Sequence, residues 1–172
     1  MPAIAKKPSS KHLAKTQPFT RSKVLEPQGC TNLKLRQLMR QVTQIYDAEM
    51  GKVEIKSTQY SLLSFVNKLG PVKPSALAVH IKMDASTLTR NLKPLINAGW
   101  VQVAAGPDGR TRLVSLTDSG RLKRSEAHRQ WRIAQDGINS LLGKKKVAEL
   151  HALIDSSMQT LDSVLPMNGE AL

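Results

Sequence analysis

The chain is poor in cysteine: Cys30 is the only one among 172 residues. That excludes an intrachain disulfide framework and a thiolate zinc knuckle, and it suits a reducing cytoplasm. Aromatic residues are scarce too, limited to Phe19, Tyr46, Tyr60, Phe65, Trp100 and Trp131. Proteins that hold single strands stack bases on exposed rings, so this composition favours a duplex over a single strand. No apolar run reaches the roughly 18 residues that a membrane span needs, and the charged N-terminus lacks the apolar centre of a secretion signal. His12, His80, His128 and His151 have no spacing suited to a shared metal ion. Nor is there a nucleophile elbow, a phosphate-cradling glycine loop or a His-Glu-x-x-His motif. Neither a catalytic residue, a bound metal nor a cofactor is expected.

Acidic residues are also few, 13 Asp and Glu against 26 Lys and Arg, and the net charge is +13. A field of that size and sign points to a polyanionic partner, with nucleic acid ahead of a membrane surface. The charge has a focus in Met83–Leu116, which reads MDASTLTRNLKPLINAGWVQVAAGPDGRTRLVSL. Asp84 suits a helix N-cap, and Leu88, Leu92, Leu95 and Ile96 recur behind it at helical spacing, with Ala85 on the same side. The opposite side collects Ser86, Arg90, Lys93 and Asn97, flanked by Thr87 and Thr89. Beyond the cap this helix has no carboxylate. Hydroxyls, amides and cations match the base edges and phosphates of a major groove. Gly99 is placed to close the helix, although Pro94 removes one hydrogen bond inside it.

Two short runs follow, Val101–Val103 and Leu113–Leu116, separated by Gly-Pro-Asp-Gly-Arg. They read as a hairpin with a cation at its tip, with Arg110 and Arg112 as candidate DNA contacts and Asp108 at the turn. Ser75, at the start of the preceding helix, is a further candidate contact. Any surface helix has a polar face; the coincidence of this helix, a basic hairpin and the net charge is what carries the reading.

In chain order, residues 1–29 hold Pro2, Pro8, Pro18 and Pro27, six Lys or Arg and one acid, Glu26. Such a segment cannot bury enough apolar surface to fold alone. It is either a basic arm along the DNA backbone or minor groove or a solvated tail, and it loosely resembles a transit peptide. Residues 30–52 carry a helical stripe of Leu35, Leu38, Met39, Val42, Ile45, Tyr46 and Met50. A second helix is expected from Ser57 through Leu69, and a short third from Pro74 to Ile81 with Pro at its first position. Two helices joined by a tight turn, the second basic outward, make a helix-turn-helix; the hairpin makes it winged. The expected fold is therefore mainly α, with a winged helix-turn-helix unit over 55–116. Residues 117–165 add two long helices, the first capped by Thr117 and stopped by Gly143. These two and the first helix have apolar stripes with no place in a small winged core. A second copy of the chain is their simplest partner, which makes 30–52 and 117–165 dimerisation segments.

The order of these elements, with specific residues in them, resembles the multiple antibiotic resistance regulator (MarR) family of bacterial winged-helix repressors. The residues are Gln59-Tyr60-Ser61-Leu62-Leu63, Met83 through Arg90, Ala98-Gly99-Trp100-Val101, and Asp108-Gly109-Arg110 running on to Leu116-Thr117-Asp118-Ser119-Gly120. The resemblance covers residues 31–164 and implies a cytoplasmic, nucleoid-associated homodimer on a pseudo-palindromic operator. It also implies that Arg110 enters the minor groove, where narrow DNA concentrates negative potential. Asp108 would hold that guanidinium.

The resemblance further implies release of DNA by a small aromatic acid, a phenol or an acyl-CoA thioester. Arg36, Arg40, Tyr46, Tyr60 and Phe65 come from helices that would line the cleft for it. Cys30 opens the first helix, and a thiol at a helix N-terminus is easier to oxidise, so a peroxide-sensing role is a second possible switch. One rival from another class is a sequence-indifferent architectural protein that coats DNA. Another is an enzyme fragment with a winged dimerisation unit, against which stands the missing Gly-rich cofactor loop.

Overall fold

A computed structural model describes residues 26–164. Helix α1 runs over Thr31–Met50 and ends in a 3-10 turn at Gly51–Val53 that the hydrophobic pattern does not show. Helix α2 is Ser57–Leu69, α3 is Pro74–His80 and α4 is Ala85–Asn97. Strands β1 (Val101–Ala105) and β2 (Arg112–Leu116) precede α5 (Asp118–Leu142) and α6 (Lys144–Asp162). The mainly helical fold with a hairpin wing is as the pattern of apolar residues predicts.

Local chemistry sets the boundaries. The Ser57 N–H donates to Asp47 Oδ1 at 2.7 Å and the Lys56 N–H to Gln59 Oε1 at 2.9 Å, so the start of α2 is tied to α1 and to its own first turn. Helix α3 stops one residue earlier than expected because Lys82 turns left-handed (φ 51°). The Met83 N–H then reaches back to Ala78 O at 3.0 Å and the Lys82 N–H to Val79 O at 3.1 Å, satisfying the last carbonyls. Both strands are longer than expected. Pairing continues through Ala104↔Leu113 and Ala105↔Arg112 until Gly106 donates to Thr111 O at 2.7 Å. A single bridge, Val72↔Val114, adds the stretch before α3 to the edge of the hairpin.

One apolar core joins the winged unit to the base of α5. Leu63 and Val66 of α2, Leu77 of α3, Leu88 and Leu95 of α4, Val114 of β2 and Met50 at the end of α1 are almost wholly buried in it. Ala127 of α5 completes it. The helical stripe of α4 needs one correction: Ile96 is exposed. Leu88, Leu92 and Leu95 already fill a narrow arc, and position 96, a further 100° round the helix, falls outside it. The far halves of α1 and α6 behave differently. Leu33, Leu35 and Met39 on α1 and Leu153, Ile154, Met158 and Leu161 on α6 are exposed. No helix of the described residues is long and apolar enough to cross a membrane.

Candidate nucleic-acid interface

Helix α4 is held at its head by Asp84, whose Oδ1 accepts the Thr87 N–H and the Ser86 hydroxyl, both at 2.7 Å. Hydrogen bonds from the Thr87 and Ser86 side chains, and then the Thr87 backbone, hold this carboxyl well below the usual carboxylate range. A depressed folded-state pKa gives stability that is complete above the unfolded value near 4 and is lost as pH falls through the folded value. The stability gap between the wild type and Asp84→Asn, which keeps an acceptor but not the charge, is therefore expected to be constant from pH 7 to about 5 and to shrink below about 4. Thermal melts of both proteins across that range measure it.

The face opposite the core carries Ser86, Arg90, Lys93 and Asn97, all exposed, with Thr89 exposed and Thr87 half-buried. Arg90 lies back along the first turn. Its Nε donates to Ser86 O at 3.3 Å, and one terminal nitrogen donates to Ser86 Oγ at 3.3 Å and Thr87 Oγ1 at 3.4 Å. These bonds are long and exposed, so the guanidinium can swing outward at small cost. The Thr89 hydroxyl already donates to Ala85 O at 2.8 Å, leaving a lone pair and a methyl to offer. Pro94 sits within the last turn without breaking the helix.

The wing tip departs from the role that the resemblance implies for Asp108. Its Oδ1 accepts the backbone N–H groups of Arg110 at 3.1 Å and Thr111 at 2.7 Å, and its Oδ2 accepts the Thr111 hydroxyl. No ion pair joins it to the Arg110 guanidinium among the described residues. Asp108 instead shapes the turn, helped by Gly109 in the left-handed region (φ 66°). Local donors two and three residues away compete better for a short carboxylate than a long, mobile guanidinium. Arg110 and Arg112 are both exposed and have no carboxylate partner among the described residues.

Lys73, a poor N-cap by sequence and not among the candidate contacts, caps α3 without a side-chain bond; hydrogen bonds from Thr111 are the main cause that lowers the Asp108 pKa, and the Lys73 charge adds to them. It stands near the wing turn, with Ser75, also exposed, two residues on. A lysine at an N-cap, where it opposes the helix dipole, was the available signal.

Helix and wing are fixed to one mount. Gly99 (φ 72°) ends α4, and its carbonyl accepts the hydroxyls of Thr117 at 2.6 Å and Ser119 at 2.8 Å. The Thr117 N–H donates to Trp100 O at 3.1 Å, and Gly120 donates to Thr117 Oγ1 at 3.0 Å. A Cβ on Gly120 would stand 1.9 Å from Trp100 O, so only glycine fits there. The Leu-Thr-x-Ser-Gly stretch thus ties the junction of α4 and β1 to the first turn of α5. Further along α5, His128 Nδ1 pairs with the Tyr60 hydroxyl of α2 at 2.7 Å and stacks on Trp131, ring centroids 5.5 Å apart.

The five candidate effector contacts do not converge. Tyr46 lines a mainly apolar cavity of about 320 Å³ with Leu38, Val42, Gln135, Ile138 and Ile154, and donates to Gln135 Oε1 at 2.5 Å. Phe65 lines a separate 220 Å³ hollow with Ile81, Met83 and Asn91, while Arg40 borders a third beside Gln37 and Gln44. Tyr60 is buried, and Arg36 is exposed and lines none of these cavities. They part because α1 and α2 turn different faces to the core. Cys30 is exposed at the N-cap of α1, with no side-chain cap bond. No cluster of three metal-ligating side chains occurs among the described residues.

Comparison with known proteins agrees with this geometry. The family model described as the MarR family matches residues 55–110, which span α2 to the wing tip. An uncharacterized HTH-type transcriptional regulator of Bacillus subtilis (strain 168), YwoH, is 29% identical over 92 residues, 54% of this chain and 67% of the relative. The Mycobacterium tuberculosis transcriptional regulator MosR, solved in complex with DNA, is 30% identical, with a TM-score of 0.61, covering 75% of this chain and 98% of its own. A mutant Escherichia coli MarR complexed with operator DNA shares the fold, with a TM-score of 0.68 at 21% identity over 73% of this chain and 91% of its own. With its winged unit matched by the family model and nearly all of MosR spanned, the chain belongs to the MarR family of transcriptional regulators.

Proposed function

We propose that the chain acts as a homodimer that binds a pseudo-palindromic DNA operator and represses transcription. The observation that carries this is the acid-free outer face of α4 beside the exposed Arg110 and Arg112 of the wing, both mounted on the base of α5. Arg90 and Asn97, with the hydroxyls of Ser86, Thr87 and Thr89, read base edges in the major groove; Lys93, Ser75 and Arg112 hold phosphates. Arg110 enters the minor groove. Residues 55–116 are the reading unit. The exposed apolar faces of α1 and α6 pair with a second copy, making 30–52 and 117–165 the dimerisation segments. The basic arm over 1–29 lies almost wholly outside the described residues. Gel shift on the DNA flanking the protein's own gene tests the reading, and a single retarded species of two chains per duplex is expected.

Release belongs to the dimerisation half. The cavity beside Tyr46 has the size and apolar lining for a small aromatic acid or phenol, or the end of an acyl-CoA chain. Oxidation of the exposed Cys30 thiol at the head of α1 is the second route. The expected result is that organic hydroperoxide abolishes the gel shift of the wild type and leaves Cys30→Ser bound. A wild type that ignores the oxidant ends the redox reading, and a panel of aromatic acids and CoA esters then decides the ligand.

A further inference from the structure

The second half of α6 is exposed at every residue from His151 on, although His151 and Ile154 border the cavity beside Tyr46. Its end is nevertheless tied down. Asp162 Oδ2 accepts from Lys82 Nζ at 2.5 Å, across 80 residues of sequence, with each side chain 44% exposed. Among the described residues this is the one side-chain hydrogen bond or ion pair between α6 and the winged unit. Lys82 is also the left-handed residue of the α3–α4 turn (φ 51°), a backbone position that glycine fits best. Two residues later Asp84 caps α4. A long cation has therefore been placed at the hinge of the helix-turn-helix, where local backbone sterics alone would favour glycine.

We propose that Lys82 and Asp162 are a positioning pair: their bridge sets the attitude of α4 relative to α6. Because α6 offers no other polar tie to the reading unit, a shift of α6 at the dimer interface pulls on the turn that leads into α4. The functional half of this inference rests on the DNA-reading role proposed above; the geometric half does not.

The test uses the full chain in a Cys30→Ser background, with nitroxide labels at Ser156→Cys on α6 and Val79→Cys on α3. Unlabelled protein in excess restricts the reading to distances within one chain. Wild-type charges should give one narrow distance. Asp162→Asn and Lys82→Gly should each raise the fraction of longer distances about twofold to fivefold, the range expected for one exposed ion pair. The exchanged pair Lys82→Asp/Asp162→Lys should restore the narrow distance, since aspartate tolerates the left-handed turn. In parallel, the ratio of affinities for operator and scrambled duplex should fall about twofold to fivefold in Asp162→Asn and recover in the exchanged pair. Unchanged distances in both single variants would overturn the proposal. So would an Asp162→Asn variant that binds every duplex more tightly, since the carboxylate would then merely shield a phosphate-seeking lysine. A wild type that does not discriminate between duplexes would refute the DNA-reading account, while the distances, taken without DNA, still decide the bridge.

Discussion

Gly120→Ala is expected to cost about 3 kcal/mol and lower Tm by about 10 °C, in a chain where glycine-to-alanine changes inside helices normally stabilise. The sign turns on one contact. An added Cβ would stand 1.9 Å from the carbonyl oxygen of Trp100 and 2.8 Å from its carbon, far inside van der Waals distance. Neither partner is a flexible side chain. Trp100 O is fixed by the Thr117 N–H, and Gly120 by the Thr117 hydroxyl, so relief requires α5 to move off the α4–β1 junction. Gly137, in the same helix, has nothing within 4 Å of its ideal Cβ. Gly137→Ala is therefore the internal control, expected to stabilise by about 0.5–1 kcal/mol. Thermal unfolding of the three proteins separates the effects. If both substitutions shift Tm upward, the close approach at Trp100 has no energetic weight. Because the displaced junction carries both α4 and the wing, Gly120→Ala protein that still folds should also bind operator more weakly.

Arg90→Ala is the second large effect. It should weaken operator binding by about 1–3 kcal/mol, about fivefold to 150-fold, while hardly changing affinity for scrambled duplex. The stowed guanidinium gives up only long, exposed bonds to Ser86 and Thr87 when it turns outward, so most of its interaction with a base edge is retained as net affinity. Lys93→Ala is the contrast. A lysine that meets phosphate weakens all sequences alike and lowers the slope of log K against log salt by about one. Competition titrations with both duplexes at three salt concentrations read each quantity. Equal losses on the two duplexes for Arg90→Ala would remove it from base reading.

Local signals in the sequence carried the winged unit well. Asp84, Thr117 and Pro74 act over three or four residues, and each stands at the start of the helix that it was expected to begin. Leu88, Leu92 and Leu95 went to the core by simple periodicity, whereas Ile96 did not, since the edge of a helical stripe depends on what packs beside it. Contacts that cross the chain were out of reach. Asp108 reads equally well as a guanidinium partner or as a turn former, and only the folded tip shows it accepting from Arg110 N–H and Thr111. Gly120 was legible as part of a motif but not as the residue that lets Trp100 approach, because the two are twenty positions apart. Lys82 and Asp162 carry no pattern at all and meet through the return of α6. The effector candidates were grouped by helix, yet Tyr46, Phe65 and Arg40 border different hollows, since residues on neighbouring helices converge only if their phases agree.

These contacts assemble into one claim: α4 and the wing form a sequence-reading surface carried by a dimer. The most direct measurement is the affinity of the purified protein for the DNA flanking its own gene against a scrambled duplex of equal length, both near physiological salt. The account predicts a protected pseudo-palindromic site bound about a thousandfold or more tightly than the scrambled duplex, with two chains per site. One affinity for every duplex, with no protected site, would contradict it and leave an architectural DNA-coating protein in its place.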